Sequence, residues 1–81
     1  MVMWSANDNC LTNEFEFVNF QEALEFVNRV AELAEIRKHH PDIFIHDYRY
    51  VKISLTTHDA RNKISEKDVE MAPLIDALYT T

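Results

Sequence analysis

Residues 19–41 read NFQEALEFVNRVAELAEIRKHHP, and this stretch decides the fold because its apolar residues recur at helical spacing. One side of the helical wheel carries the apolar positions Ala23, Leu24, Val27, Val30, Ala31 and Ala34. Asn19 suits an N-cap, and Glu22 three residues later completes a box-like start. Because the residue before a proline disfavours the α region, Pro41 limits the far end. We therefore predict a helix that runs to about His39.

The residues before this helix alternate between apolar and polar side chains. From Leu11, apolar residues at positions 11, 15 and 17 enclose polar ones at 12, 14 and 16, which is the pattern of a half-buried strand. Residues 1–6 read as an earlier strand, and Asn7-Asp8-Asn9 as the turn that completes a hairpin. The chain has no glycine, so we expect this turn and Asn62 to supply any positive φ.

The order of elements repeats after the helix. Residues 42–46 and 51–56 alternate again around a turn near residues 47–50, and a loop over 57–63 comes next. Ser65-Glu-Lys-Asp68 is a capping signal for a last helix, in which we expect a kink or a break at Pro73. The residues that this helix should turn inward are Val69, Ala72, Ile75 and Leu78. The fold class is α+β, with a four-stranded antiparallel sheet, helices on one face and the order β-β-α-β-β-α.

Size and charge restrict the function. Residues 1–81 form a single domain whose core alone gives marginal stability, and self-association is the expected support because Cys10, the only cysteine, excludes an internal disulfide. The chain shows neither a signal-peptide pattern nor an apolar run near the roughly 20 residues of a membrane span, so we expect a cytoplasmic protein. A net charge of −6 without a Lys/Arg cluster argues against direct binding of nucleic acid.

Three of the four histidines stand where a predicted element ends: His39 and His40 at the end of the helix before Pro41, and His58 after a strand. Imidazole has a pKa of about 6.5, so such a cluster suits proton transfer near neutral pH. A plainer interpretation is that His39 and His40 favour the negative end of the helix dipole and that His58 is a loop residue. A third interpretation is that the three histidines bind zinc. Adjacent residues such as His39 and His40 point apart on a helix, however, and do not easily reach the same ion. His46 reads as solvent-facing.

Other groups carry weaker signals. Glu35, Asp59 and Asp68 are candidate acids, but charged residues in loops and caps are usually solvated. Cys10 has no neighbouring base that would activate a thiolate. The phenylalanines at strand and helix spacings are expected in the core.

The spacing of the histidines indicates a family. It runs Glu35, three residues, His39-His40-Pro41, six residues, Tyr48, nine residues, His58, and then Asp68. This pattern resembles that of the pterin-4a-carbinolamine dehydratase family, also called 4a-hydroxytetrahydrobiopterin dehydratase, and the similarity covers about residues 4–79.

The resemblance implies an α+β fold assembled as homodimers or homotetramers. It also implies dehydration of 4a-hydroxytetrahydropterin to quinonoid dihydropterin, which recycles the cofactor of aromatic amino-acid hydroxylases, without a metal or other cofactor. The alternative is a dehydratase-like interaction module with little or no activity. We expect the chain to lack the helix with which family members commonly begin. Lys38 stands where the family often has Asp or Asn, and a cation there disfavours protonated imidazole.

The same resemblance assigns residues to the site. It implies that His39 and His58 form the acid/base pair and that His40 binds and orients the pterin ring. The backbone around Thr56, Thr57 and His58 is implied at the polar edge of the pterin, and Asp59 is implied as a further substrate-binding residue. Trp4 is implied as a wall of the pocket.

Overall fold

Two hairpins form one antiparallel sheet in the computed structural model, which describes residues 4–7, 9–57 and 63–79. The elements in chain order are β1 (Ser5–Ala6), β2 (Leu11–Glu16), α1 (Phe20–Arg37), β3 (Asp42–His46), β4 (Tyr50–Leu55) and α2 (Glu66–Tyr79). The sheet order is β1-β2-β4-β3, so β2 and β4 pair at its centre and join the hairpins. The predicted α+β class and element order are confirmed.

The core lies between the sheet and the two helices. Antiparallel pairing sets Phe15 opposite Val51, and alternation then turns every second residue of each strand towards the helices. The buried apolar residues are Phe15, Ala23, Phe26, Val30, Ala34, Val51, Ile53, Leu55, Met71, Ala72 and Ile75. The polar residues of β2 and β4, with the exception of Asn13 opposite Ile53, alternate to the other face, where the sheet meets solvent.

The inward face of α2 differs from the predicted one. The buried positions are Asp68, Met71, Ala72 and Ile75, which have an i, i+3, i+4, i+7 pattern. Val69 is 58% exposed, so its predicted inward position is wrong. Ala72 and Ile75 are buried as predicted and Leu78 packs partly buried against the core, so the error concerns the start of the buried stripe, where Asp68 and Met71 take the place of Val69.

Pro73 lies inside α2 and does not divide it, so of the two expected outcomes, a kink or a break, the break is wrong. A proline removes the hydrogen bond to the carbonyl four residues earlier, here that of Val69. Both Pro73 and Val69 are exposed, so this carbonyl lies on the solvent side of the helix. Water can replace the missing donor there.

Both ends of α1 are capped, and the cap at the C-terminal end sets the direction in which the chain leaves the helix. Asn19 is the N-cap, as predicted, and its Oδ1 accepts from the Glu22 backbone N–H at 2.8 Å. The helix ends at Arg37, two residues before the predicted end, because Lys38 adopts the left-handed conformation with φ 53°. The His39 N–H then donates to the Ala34 carbonyl at 3.1 Å, which closes a Schellman-type cap. This turn directs His39 away from the helix axis.

Replacing Lys38 with glycine should stabilise the protein. A side chain with a Cβ pays a steric cost in the left-handed region that glycine avoids, partly offset by the greater freedom of glycine in the unfolded chain. We expect Lys38→Gly to raise the free energy of unfolding by about 0.5–1 kcal/mol in urea titrations. Lys67→Gly, within the first turn of α2, is the matched control and should lower it by about 1 kcal/mol. Destabilisation by both changes would contradict the assigned cap.

None of the positive φ angles in the described part of the chain lies at a predicted position. Within the described residues they occur at Lys38, at Asp47 (φ 48°) and at Tyr48 (φ 56°). Asn7 instead forms a side-chain turn, in which its Oδ1 accepts from the N–H groups of Asn9 and Cys10, each at 2.8 Å. Asp8 and Asn62 lie outside the described residues. None of the described helices combines the length and apolar character that crossing a membrane requires.

His46 lies on the solvent-facing side of the sheet, but it is not an isolated surface residue. Its Nε2 donates to Glu14 Oε1 at 2.6 Å and its Nδ1 to Asp47 Oδ2 at 3.0 Å. The rings of Phe44 and Tyr50 stack on either side of it, with centroids at 5.3 and 5.4 Å. The hydrogen bonds to Glu14 and then to Asp47 raise the pKa of His46 above 6.5, because both nitrogens donate only in the charged ring.

His46→Gln should therefore cost stability in a pH-dependent way. A raised folded-state pKa contributes stability that is fully present below the unfolded value of about 6.5 and is lost as pH rises through the folded value. We expect the variant to lower the free energy of unfolding more at pH 6 than at pH 9, measured by urea titration at both pH values. An equal loss at the two pH values would show that the charged ring is not what stabilises the sheet.

Candidate active site

His39 and Asp68 form a pair between the end of α1 and the start of α2. The left-handed turn at Lys38 brings the imidazole against the first turn of α2, where His39 Nε2 lies 2.5 Å from Asp68 Oδ1. The His39 side chain is 11% exposed and that of Asp68 is fully buried. The expectation that Asp68 is solvated is therefore wrong, because docking of α2 against the sheet encloses its cap.

The second oxygen of Asp68 is held by two further donors. Its Oδ2 accepts from the Thr57 hydroxyl at 2.8 Å and from the Ser65 backbone N–H at 2.9 Å. Ser65 is the residue before α2, so Asp68 is the acid of the predicted capping box. One carboxylate thus caps the helix and orients the imidazole.

This environment keeps Asp68 ionised. Burial by itself raises the pKa of Asp68, but the hydrogen bonds from His39, from the Ser65 N–H and from Thr57, with the charge of His39, outweigh burial and lower the pKa below its ordinary value. An ionised carboxylate accepts hydrogen bonds and donates none. His39 Nε2 must therefore carry a proton.

That constraint fixes the tautomer of His39. In the neutral ring the proton sits on Nε2, so Nδ1 carries the lone pair. Among the described residues, no hydrogen bond occupies Nδ1. His39 can accept a proton at Nδ1 as a base, or donate one from Nδ1 when the ring is charged.

His40 points away from this pair. Its Nε2 lies 2.5 Å from Glu35 Oε2, and the imidazole is 64% exposed. The two adjacent histidines therefore have separate partners: His39 has a buried one and His40 an exposed one. Within the described stretches, no three His, Cys, Asp or Glu side chains are grouped as metal ligands.

Of the remaining predicted site residues, two lie outside the described part of the chain, and Thr56 and Trp4 form hydrogen bonds away from the His39–Asp68 pair. His58 and Asp59 lie outside the described residues, so their roles stay predictions; His58 comes directly after Thr57 in the chain. Thr56 donates its hydroxyl to the Asn9 carbonyl at 2.7 Å. Trp4 Nε1 donates to Asp76 Oδ1 at 2.9 Å, about two turns further along α2 than Asp68.

Thr57 has both of its donors engaged within the protein. Its hydroxyl donates to Asp68, and its backbone N–H donates to the Lys63 carbonyl at 3.0 Å. The sequence predicted Ser65 only as part of a cap, yet it contacts both Asp68 and Thr57. The Ser-x-x-Asp spacing was the signal that could have connected this cap to the site.

A separate cavity of about 710 Å³ opens between the end of β2, the first half of α1 and the end of α2. Aromatic and charged side chains line it, among them Phe17, Phe26, Arg29 and Tyr79. None of the predicted site residues is among its lining residues.

Comparisons with known proteins agree with the pattern of residues. The sequence model of the family described as pterin 4 alpha carbinolamine dehydratase matches residues 2–78. A "Putative pterin-4-alpha-carbinolamine dehydratase" of Picosynechococcus sp. is 47% identical over 75 residues, covering 93% of this chain and 79% of the relative. A protein of the same description from Sulfurisphaera tokodaii is 44% identical over 77 residues, covering 95% and 81%.

Two solved structures share the fold. A protein of Brucella melitensis described as a transcriptional coactivator/pterin dehydratase superposes with a TM-score of 0.82 at 31% identity, covering 96% of this chain and 81% of that one. A pterin dehydratase-like protein described as a RuBisCO assembly factor in the alpha-carboxysome superposes with a TM-score of 0.75 at 24% identity, covering 96% and 88%. The second likeness concerns the fold alone.

Proposed function

The chain belongs to the pterin 4 alpha carbinolamine dehydratase family, and on that premise we propose that it dehydrates a 4a-hydroxytetrahydropterin to the quinonoid dihydropterin. The pairing of His39 with the buried Asp68 is the observation that supports this proposal best. The product would return to the tetrahydropterin used by an aromatic amino-acid hydroxylase, and we propose a cytoplasmic setting for both proteins.

The reaction needs an acid and a base at the same time. The C4a–O bond breaks and the oxygen leaves as water once an acid has protonated it. A ring nitrogen loses its proton to a base, and its electrons form the new double bond to C4a. His39, with Nδ1 available, supplies one of these groups, and His58 is the proposed other. The two roles need no redox partner because no electrons leave the substrate.

The other proposed contacts agree with the family pattern. His40 is exposed beside His39, so its ring can turn from Glu35 towards a pterin without disturbing the core. We propose that it binds and orients the substrate. Thr56, Thr57 and Asp59 are proposed at the polar edge of the pterin, and Trp4 as a wall.

Measuring the dehydration of a synthetic 4a-hydroxytetrahydropterin tests the proposal. The folded protein should accelerate the reaction above its spontaneous rate, and a chelator should not change that acceleration. No acceleration would favour the interaction module, an alternative that the exposed apolar side chains Ile36, Phe44 and Val69 also suit. Activity that a chelator abolishes and zinc restores would favour a metal site.

We also propose that the protein is a homodimer or homotetramer. The sheet ends in the edge strands β1 and β3, whose outer backbone groups have no partner strand within the described residues. A core of this size gains from further burial between copies. Sedimentation at micromolar concentration should give a mass of at least twice 9.6 kDa. A mass near 9.6 kDa would contradict the assembly.

A further inference from the structure

A chain of hydroxyl groups lies behind the carboxylate that orients His39. Thr57 Oγ1 is 2.8 Å from Asp68 Oδ2, and Ser65 Oγ is 2.5 Å from Thr57 Oγ1. The Lys67 backbone N–H donates to Ser65 Oγ at 3.2 Å. Thr57 and Asp68 are both buried, so the hydrogen bond between them does not compete with water, whereas Ser65 is only partly buried. The hydroxyl chain of Ser65 and Thr57 therefore joins the first turn of α2 to the site.

Counting protons fixes the direction of every bond in this chain. The ionised Asp68 can only accept, so the single proton of the Thr57 hydroxyl points to Oδ2. The Ser65 hydroxyl must then donate to Thr57 Oγ1, while its own oxygen accepts from the Lys67 N–H. All the donors point towards Asp68, and bonds aligned in this way polarise one another.

We propose that Thr57, supported by Ser65, is a positioning residue that fixes the orientation and the acceptor strength of the Asp68 carboxylate and so sets how firmly His39 holds its Nε2 proton. The hydroxyl of Thr57 competes with His39 for the charge of the same carboxylate. Loss of this hydroxyl leaves Asp68 a stronger acceptor for the Nε2 proton and less firmly oriented. The proposal rests on the proposed function only where turnover is the readout.

The test compares Thr57→Val, which removes the hydroxyl with little change of shape, with Thr57→Ser, which keeps it. Thr12→Val, on the solvent-facing side of β2, is the matched control for the same chemical change. NMR at neutral pH follows the Nε2 proton and the ring nitrogens of His39. We expect the Nε2 proton of Thr57→Val to move further downfield, while Thr57→Ser and Thr12→Val keep the wild-type signal.

Kinetics give a second readout. In Thr57→Val we expect kcat to fall about tenfold, the effect of one hydrogen bond to a charged group, with KM unchanged. The pH profile of kcat/KM should move about half a unit higher, and Thr57→Ser should restore both quantities. A raised KM with unchanged kcat would make the hydroxyl a substrate contact and overturn the proposal. So would a loss of stability that leaves the His39 signals unmoved.

Ser65→Ala keeps the proposal testable if Thr57→Val does not fold. It removes the donor to Thr57 but leaves the backbone N–H that bonds Asp68, so the same NMR shift should appear with a smaller size. Unchanged His39 signals in Ser65→Ala would then overturn the proposal. A wild-type protein without dehydratase activity would end the proposed function only, because the NMR comparison does not depend on turnover.

Discussion

His39→Ala and His58→Ala should each reduce the turnover of 4a-hydroxytetrahydropterin by about 10²–10⁴-fold, the usual contribution of a general acid or base. His39 is placed for this role because Asp68 holds its Nε2 proton and leaves Nδ1 to the substrate. Steady-state kinetics corrected for the spontaneous reaction give the measurement. His40→Ala should raise KM at least as much as it lowers kcat, because binding and orientation are its proposed role.

The pH profile of the wild-type protein's proposed dehydratase activity should reflect the same pair of histidines. One histidine must be protonated and the other neutral, so kcat/KM should give a bell-shaped curve around neutral pH whose limbs belong to the coupled pair. His46→Ala is the internal control for turnover, since His46 lies on the opposite face of the sheet from the helices. Equal losses at His46 and His58, or near-wild-type turnover in His58→Ala, would show that the wrong histidines have been chosen.

Asp68→Asn should abolish most of the activity while it preserves the shape of the site. The Thr57 hydroxyl and the Ser65 N–H both donate to the position of Oδ2, so the amide oxygen of asparagine must occupy it. The amide NH₂ then faces His39 Nε2 and donates to it. The neutral ring is forced into the tautomer with its proton on Nδ1, so the atom proposed to exchange a proton with the substrate is in the wrong protonation state.

We expect Asp68→Asn to lower kcat by about 10²–10⁴-fold, comparable to loss of His39 itself. Nitrogen NMR of the His39 ring should show that the protonated nitrogen is Nδ1 in the variant, whereas it is Nε2 in the wild-type protein. Glu35→Gln, which makes the same change at the exposed partner of His40, is the control and should leave the His39 ring signals unaltered. A folded Asp68→Asn protein that keeps the wild-type tautomer and turnover would contradict the assignment of Asp68.

Stability should depend on Asp68 as well. Its folded-state pKa is lowered, so the ionised carboxylate contributes stability that is present above the unfolded value of about 3.8 and is lost as pH falls through the lower folded value. Because the group is fully buried and serves as the cap of α2, acid should weaken the start of that helix and the orientation of His39 together.

Part of the site could be predicted from sequence spacing. His39, His40 and Asp68 stand in the family pattern, and Ser65-Glu-Lys-Asp68 was predicted to start the last helix, as it does. The sequence did not indicate that the capping acid and the orienting acid are one carboxylate. A charged residue in a helix cap is usually exposed to solvent, so the sequence alone predicts an exposed Asp68. Asp68 is buried only because α2 packs on the sheet.

The sequence by itself determined the elements and their order, because hydrophobic periodicity and caps such as Asn19 depend on neighbours within a few residues. The tertiary structure alone decided which groups meet. His39 and Asp68 are 29 residues apart, as His46 and Glu14 are 32 apart, and both pairs require elements to dock in register. The same docking buries Met71 and leaves Val69 exposed. A local pattern predicts the buried face of a helix only to within about a residue, and it does not predict which distant side chains pair. Both depend on how the elements pack.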